Sequence, residues 1–180
     1  MIPRKPILAS LCALAVLLPA PALAASAPFR AAKATTSLRS LLSSRQLWAT
    51  IDVCNPFDQP DMIGVRGSMP GDGRPHDTMY MRFGLQYLNK TTRRWTGLVT
   101  GAEPVYVAVG NAKAARQAGR SFQLIPVPGK PAFTLRGVVS FQWRHGGTVV
   151  QSTSRPTTAG RQSLAGADPA GFSAATCLIG

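Results

Sequence analysis

The sequence predicts an all-β protein, an antiparallel β-sandwich that is immunoglobulin-like in architecture. Three observations carry that expectation. Glutamate occurs once, at Glu103, so the Glu/Lys pairs that support surface helices are nearly absent. From Gln46 onward apolar and other residues alternate with a period of two, the pattern of strands with one buried face. Turn signals separate these stretches and no βαβ crossover is visible, which describes a sandwich or barrel.

The elements follow in order. Leu47, Ala49, Ile51 and Val53 alternate with Trp48, Thr50, Asp52 and Cys54 up to Asn55-Pro56, a first strand. Met62 to Val65 is a short second strand, followed by a loop from Gly67 to Pro75 whose glycine and proline density opposes regular structure. Met79, Met81, Phe83, Leu85 and Tyr87 mark a long strand that ends at Asn89-Lys90. Trp95–Val99 and Val105–Val109 are further strands. Asn111 to Gly119 lacks an apolar stripe and reads as a surface excursion, after which Phe122–Ile125 returns to strand. The clearest alternation sets Phe133, Leu135, Gly137, Val139, Phe141 and Trp143 against Thr134, Arg136, Val138, Ser140, Gln142 and Arg144. His145-Gly146-Gly147 turns it into a hairpin with Val149–Thr153. After Pro156 the chain is rich in Gly, Ala, Ser and Thr up to Cys177.

The N-terminus has a short basic segment with Arg4 and Lys5, an apolar run from Ile7 to Leu18, and Ala22-Leu23-Ala24, the pattern of a secretory signal peptide over residues 1–24. A twelve-residue run broken by Pro19 and Pro21 is shorter than the roughly 20 residues that span a bilayer, so no stable membrane insertion is expected after cleavage. Residues 25–44 read as a flexible leader with one helical turn at most, at Leu38, Leu41 and Leu42, and 45–180 as a single domain. Loss of Arg4 and Lys5 with the signal takes the net charge from +13 to +11. Cys12 leaves with it, and the remaining pair in an exported chain predicts a Cys54–Cys177 disulfide that tethers the tail. Continued alternation to Cys54 would put that bridge outside the core. The Cys-Trp-Cys spacing of true immunoglobulin domains is missing.

The segments Trp48-Ala49-Thr50-Ile51-Asp52-Val53-Cys54-Asn55, Ile63 to Gly71 and Ala167 to Cys177 are similar to those of a group of small exported actinobacterial proteins. The resemblance covers most of the mature chain. It implies a bacterial source and a cysteine at each end of the domain, and it brings no activity or site residue with it.

The residues themselves offer two readings of function. Ser68, Asp72, His76 and Asp77 permit a secreted hydrolase using the Ser68–Asp77 loop, although a nucleophile needs a base within about 3 Å and the loop lacks a Gly-x-Ser-x-Gly elbow. His76 and His145 sit in unrelated turns and two cysteines are expected to pair, which leaves no zinc set. Neither a Walker loop nor a dinucleotide glycine fingerprint is present, so no cofactor is expected. The stronger signal is basic. Arg82, Arg136 and Arg144 occupy polar strand faces, and Arg93-Arg94-Trp95 and Trp143-Arg144 set guanidinium beside aromatic residues, as a groove for an anionic polymer or single strand would. The expectation is an exported, non-enzymatic binding or structural protein of the cell envelope that favours acidic polymers.

Overall fold

In the computed structural model, which describes residues 37–98, 105–161 and 164–180, the alternating stretches pair into antiparallel sheets. The expected signal peptide at 1–24 and most of the expected 25–44 leader lie outside the described residues. A short helix, α1 (Leu38–Ser43), is followed by β1 (Trp48–Cys54), β2 (Met62–Met69), β3 (Asp77–Asn89), β4 (Arg94–Leu98), β5 (Val107–Asn111), β6 (Arg116–Gln123), β7 (Phe133–His145), β8 (Thr148–Pro156) and β9 (Cys177–Ile179). One sheet has three strands in the order β1-β2-β6. The other has six and curls as a half-barrel: β4-β3-β7-β8, with β5 also on β3 and β9 also on β7.

The inner faces of the two sheets meet. Met79, Met81, Phe83 and Leu85 of β3 and Leu135, Val139, Phe141 and Trp143 of β7 pack in one core with Ala49, Ile51, Ile63, Val65 and Met69 from β1 and β2. Two glycines set the approach: a Cβ at Gly67 would lie 2.9 Å from Val139, and one at Gly137 would lie 2.7 Å from Val65. A side chain at either would push the sheets apart. The Trp143 indole N–H finds its partner in the Pro70 carbonyl at 3.0 Å, as a buried indole must, and so ties the β2–β3 connection to the core.

Several strand limits differ from the sequence expectation. The second strand continues to Met69, because Ser68 and Met69 are buried against the core and their backbones pair with Gln117 and Arg116. The surface excursion is largely strand: β6 begins at Arg116 and buries only Phe122, so backbone pairing with β2 holds it rather than an apolar face. The strand expected at Val105–Val109 lies at β5, two residues further on. The leader is ordered at its end, where Leu41 of α1 is fully buried and the Leu38 and Leu42 carbonyls accept bonds from Gln151 and Arg155 of β8.

The tail is held by more than its cysteine. Ala174 exchanges both backbone hydrogen bonds with Ile51, and Asp168 N donates to the Asp52 carbonyl, so the tail closes the outer edge of β1. The Cys54–Cys177 disulfide is present. Its predicted position outside the core is corrected: Cys177 is 2% exposed and belongs to the core, with Cys54 packed against it. The cause is a β-bulge, since Ile51 pairs with Val65 but Val53 pairs with Gly64, which leaves Asp52 as the extra residue and turns Cys54 to the Ile63 side.

Candidate functional site

The outer face of the six-stranded sheet follows from strand register. On β3 the core takes Met79, Met81, Phe83 and Leu85, so Tyr80, Arg82, Gly84 and Gln86 point outward. Their β7 partners are Gln142, Ser140, Val138 and Arg136, in that order. On β4, Trp95 and Gly97 pair with Leu88 and Gln86 and share this face. Three arginines therefore run along it, Arg144 at one end, Arg82 midway and Arg136 at the other, each step four residues or roughly 13 Å of strand.

Each arginine lies on an aromatic ring. The Arg136 guanidinium is 4.4 Å from the Trp95 ring centre, Arg144 is 4.1 Å from that of Tyr80, and Arg82 is 5.1 Å from that of Tyr106. These are cation–π distances. The hydrogen-bond partners are neutral: Arg136 Nε donates to Gln86 Oε1 at 2.8 Å, Arg144 Nε to Gln142 Oε1 at 2.9 Å, and Arg82 contacts Ser140 Oγ at 3.4 Å. None of the three forms an ion pair among the described residues. Burial lowers the Arg136 pKa from its ordinary value. Guanidinium groups that are part-buried and lack a carboxylate partner offer their N–H groups to phosphate or carboxylate oxygens.

The other predicted residues divide. Arg93 and Arg94 are exposed at the β3–β4 turn, where Asn89 Oδ1 caps Thr91 N and Thr92 N and Arg93 takes a positive φ of 54°. Arg94 pairs with Asn89, so it leaves β4 on the face opposite Trp95. The ring of Trp95 belongs to Arg136, and the expected Arg93-Arg94-Trp95 cluster is split between two faces. Tyr80 and Tyr106 were not among the predicted site residues. Alternation alone places Tyr80 on the arginine face, whereas Tyr106 reaches it only because β5 docks on the first half of β3.

The Ser68–Asp77 region is built differently from a hydrolase loop. Ser68 is buried in β2 and His76 is exposed. The histidine beside Asp77 is His145, whose Nδ1 is 2.6 Å from Asp77 Oδ1, with Arg74 3.8 Å from Oδ2. Asp72 and Asp77 are both fully buried, and Asp72 Oδ1 accepts the backbone N–H of Arg74 at 2.7 Å. Burial, reinforced by the neighbouring Asp77 carboxylate, raises the Asp72 pKa from 3.8. Burial also opposes ionisation of Asp77, but hydrogen bonds from His145 and Asp72 and the charges of His145 and Arg74 outweigh it and hold Asp77 below 3.8. The Oδ2 atoms of both acids are buried without a hydrogen-bond partner, which is why burial opposes ionisation of each. This cluster locks the β7–β8 hairpin to the β2–β3 connection.

No family model and no curated protein matches the chain. Among solved structures it is similar to the Pseudomonas fluorescens alkylpurine DNA glycosylase AlkC bound to DNA containing an abasic site analog, at 16% identity and a TM-score of 0.32. The match covers 62% of this chain and 29% of that one, so this chain spans less than a third of the glycosylase's length, and a likeness of that size carries neither fold nor activity across.

Proposed function

We propose that this chain is an exported, non-enzymatic protein of the bacterial cell envelope that binds an acidic polymer along the outer face of its six-stranded sheet. The observation that carries the reading is the row Arg144, Arg82, Arg136, each stacked on an aromatic ring and each bonded to neutral partners on one face. A linear polyanion crossing that row releases counterions at each contact. Export is supported by the N-terminal pattern, by the resemblance to small exported actinobacterial proteins and by the Cys54–Cys177 disulfide, which suits an oxidising compartment. The packing of two antiparallel sheets over one core supports an immunoglobulin-like sandwich as the architecture. No helix among the described residues is long and apolar enough to cross a membrane. A hydrolase at the Ser68–Asp77 loop has less support, since Ser68 is buried and Asp77 is engaged by His145.

The test is retention of the mature protein on an immobilised anionic polymer across a salt series. Wild type is expected to show a log–log salt slope steeper by about 2 than the Arg82→Ala/Arg136→Ala/Arg144→Ala variant, since each phosphate left without its arginine flattens the slope by about 0.7. Equal slopes for the two proteins, or no retention at low salt, would overturn the reading.

A further inference from the structure

Between the Arg82–Tyr106 and Arg136–Trp95 stacks the outer face is hollow. The cavity measures about 230 Å³ and is lined by Arg82, Gly84, Gln86, Gly97, Val138 and Ser140, among others. It lies where β3 passes from its pairing with β5, which ends at Met81, to its pairing with β4, which begins at Leu85.

Two missing side chains make the hollow, and the fold requires neither absence. A Cβ at Gly97 would meet nothing within 4 Å, and one at Gly84 would meet only the Val138 carbonyl oxygen at 4.0 Å. Neither residue is among the positive-φ glycines, so the backbone admits an ordinary L-residue at both. Glycine inside a strand is less favourable than alanine, because its backbone loses more freedom on folding and it offers no side chain to pack. Gly67 and Gly137 have a packing reason to be glycine. For Gly84 and Gly97 the reason left is the open space itself.

The chemistry around that space selects a ligand class. At about 230 Å³ it is smaller than the roughly 300–1,000 Å³ of pockets for drug-sized ligands, and it suits a single ring. Its polar groups match hydroxyls: Gln86 keeps its amide N–H groups while its oxygen serves Arg136, and the Ser140 hydroxyl is 2.9 Å from that of Ser154. The flanking Trp95 and Tyr106 rings each carry a guanidinium, whereas a nucleobase site offers open aromatic faces for stacking. We infer that the hollow seats one hydroxyl-bearing sugar ring of a phosphodiester-linked glycan, the ring lying over Gly84 and Gly97 with the phosphates on either side of it at Arg82 and Arg136. This rests on the acidic-polymer reading and names the repeating unit that the same face would recognise.

The test fills the hollow without touching a charge. Gly97→Val and Gly84→Val, separately, are compared with wild type for binding to a phosphomannan, to inorganic polyphosphate of matched charge and to a single-stranded oligonucleotide, with the urea midpoint of each protein as the control for folding. Gly97→Val stands at an exposed position of β4 and keeps the assay usable if Gly84→Val is unstable. Wild type is expected to prefer phosphomannan to polyphosphate, and each valine to weaken phosphomannan binding about tenfold, equivalent to about 1.4 kcal/mol, while polyphosphate binding stays within about twofold. Equal affinity for phosphomannan and polyphosphate, or phosphomannan binding unchanged in both variants, overturns the ring site and leaves the polyanion reading standing. A loss confined to the oligonucleotide overturns the sugar assignment. No binding of any of the three at low salt overturns the polyanion reading and this inference with it.

Discussion

Arg66 on β2 and Arg136 on β7 both point away from the core, yet their surroundings differ. Arg66 Nε donates to Asp52 Oδ2 at 2.6 Å, with side-chain exposures of 21% and 5% for the two partners, and Gly166 of the tail lies so close that a Cβ there would be 3.2 Å from Arg66 Nη2. Arg136 has a glutamine and a tryptophan for neighbours and no carboxylate among the described residues. Arg66 is neutralised and covered, so its charge serves the fold. On the six-stranded sheet three arginines keep theirs. The difference arises in backbone geometry: the bulge at Asp52 turns a carboxylate outward beside β2, and the disulfide-tethered tail lies over it. Strand position alone does not assign an arginine a role. What compensates it does.

The largest expected effect breaks the covered face. With the two cysteines 123 positions apart in sequence, the Cys54→Ser/Cys177→Ser variant is expected to lose about 4–5 kcal/mol on the chain-entropy account. Hydrogen exchange should show the amides of Ile51 and Ala174 losing protection before those of β3 and β7. Tail amides as protected as in wild type would show that the tail holds without its bridge.

A smaller effect separates the two kinds of arginine. Asp52→Ala leaves Arg66 part-buried beside an empty position and is expected to destabilise by about 3 kcal/mol in urea unfolding, because breaking such a pair strands its partner. In the same measurement Arg136→Ala or Arg144→Ala should cost about 1 kcal/mol, the worth of a part-buried cation–π contact with no stranded partner. Equal losses at Asp52 and Arg136 would erase the distinction between the faces.

The smallest effect concerns the two buried acids beside the β7–β8 hairpin, Asp72 and Asp77. Asp77 is held below 3.8, so its contribution is present above that value and is lost as the pH falls through its folded pKa. Asp72 is raised above 3.8, so the native state loses stability as the pH rises from 3.8 through the folded value. Asp72→Asn keeps the size of the side chain, removes its ionisable group and so removes that loss. At neutral pH it should match or exceed wild type by up to about 1 kcal/mol, with the advantage fading toward acid, whereas Asp77→Asn should destabilise. Urea midpoints at a series of pH values read both signs.

Legibility in the sequence follows burial. β3 and β7 are plain because one face of each meets the core along most of its length, so their alternation is written in residue type. From these two strands alone Arg82, Arg136 and Arg144 can be placed on polar faces. The end of β2 is hidden by Gly67 and Pro70, which resemble loop punctuation, although Gly67 is the close approach of one sheet to the other. β6 is hidden because it has one buried side chain. The Arg93-Arg94-Trp95 grouping fails because neighbours in a strand point to opposite faces.

The sequence by itself determined the β class, the cysteine pair and the excess of arginine over acid, because each of these is a property of residue type, spacing or count. Tertiary structure alone decided which charges are free. That depends on whether a carboxylate comes within a few ångströms of a guanidinium, and a single-residue bulge at Asp52 and the register of β3 on β7 set those distances. It also decided that His145 rather than His76 meets Asp77, and that Tyr80, Tyr106 and Trp95 lie under the three arginines, since residues far apart in the chain become neighbours only through strand pairing.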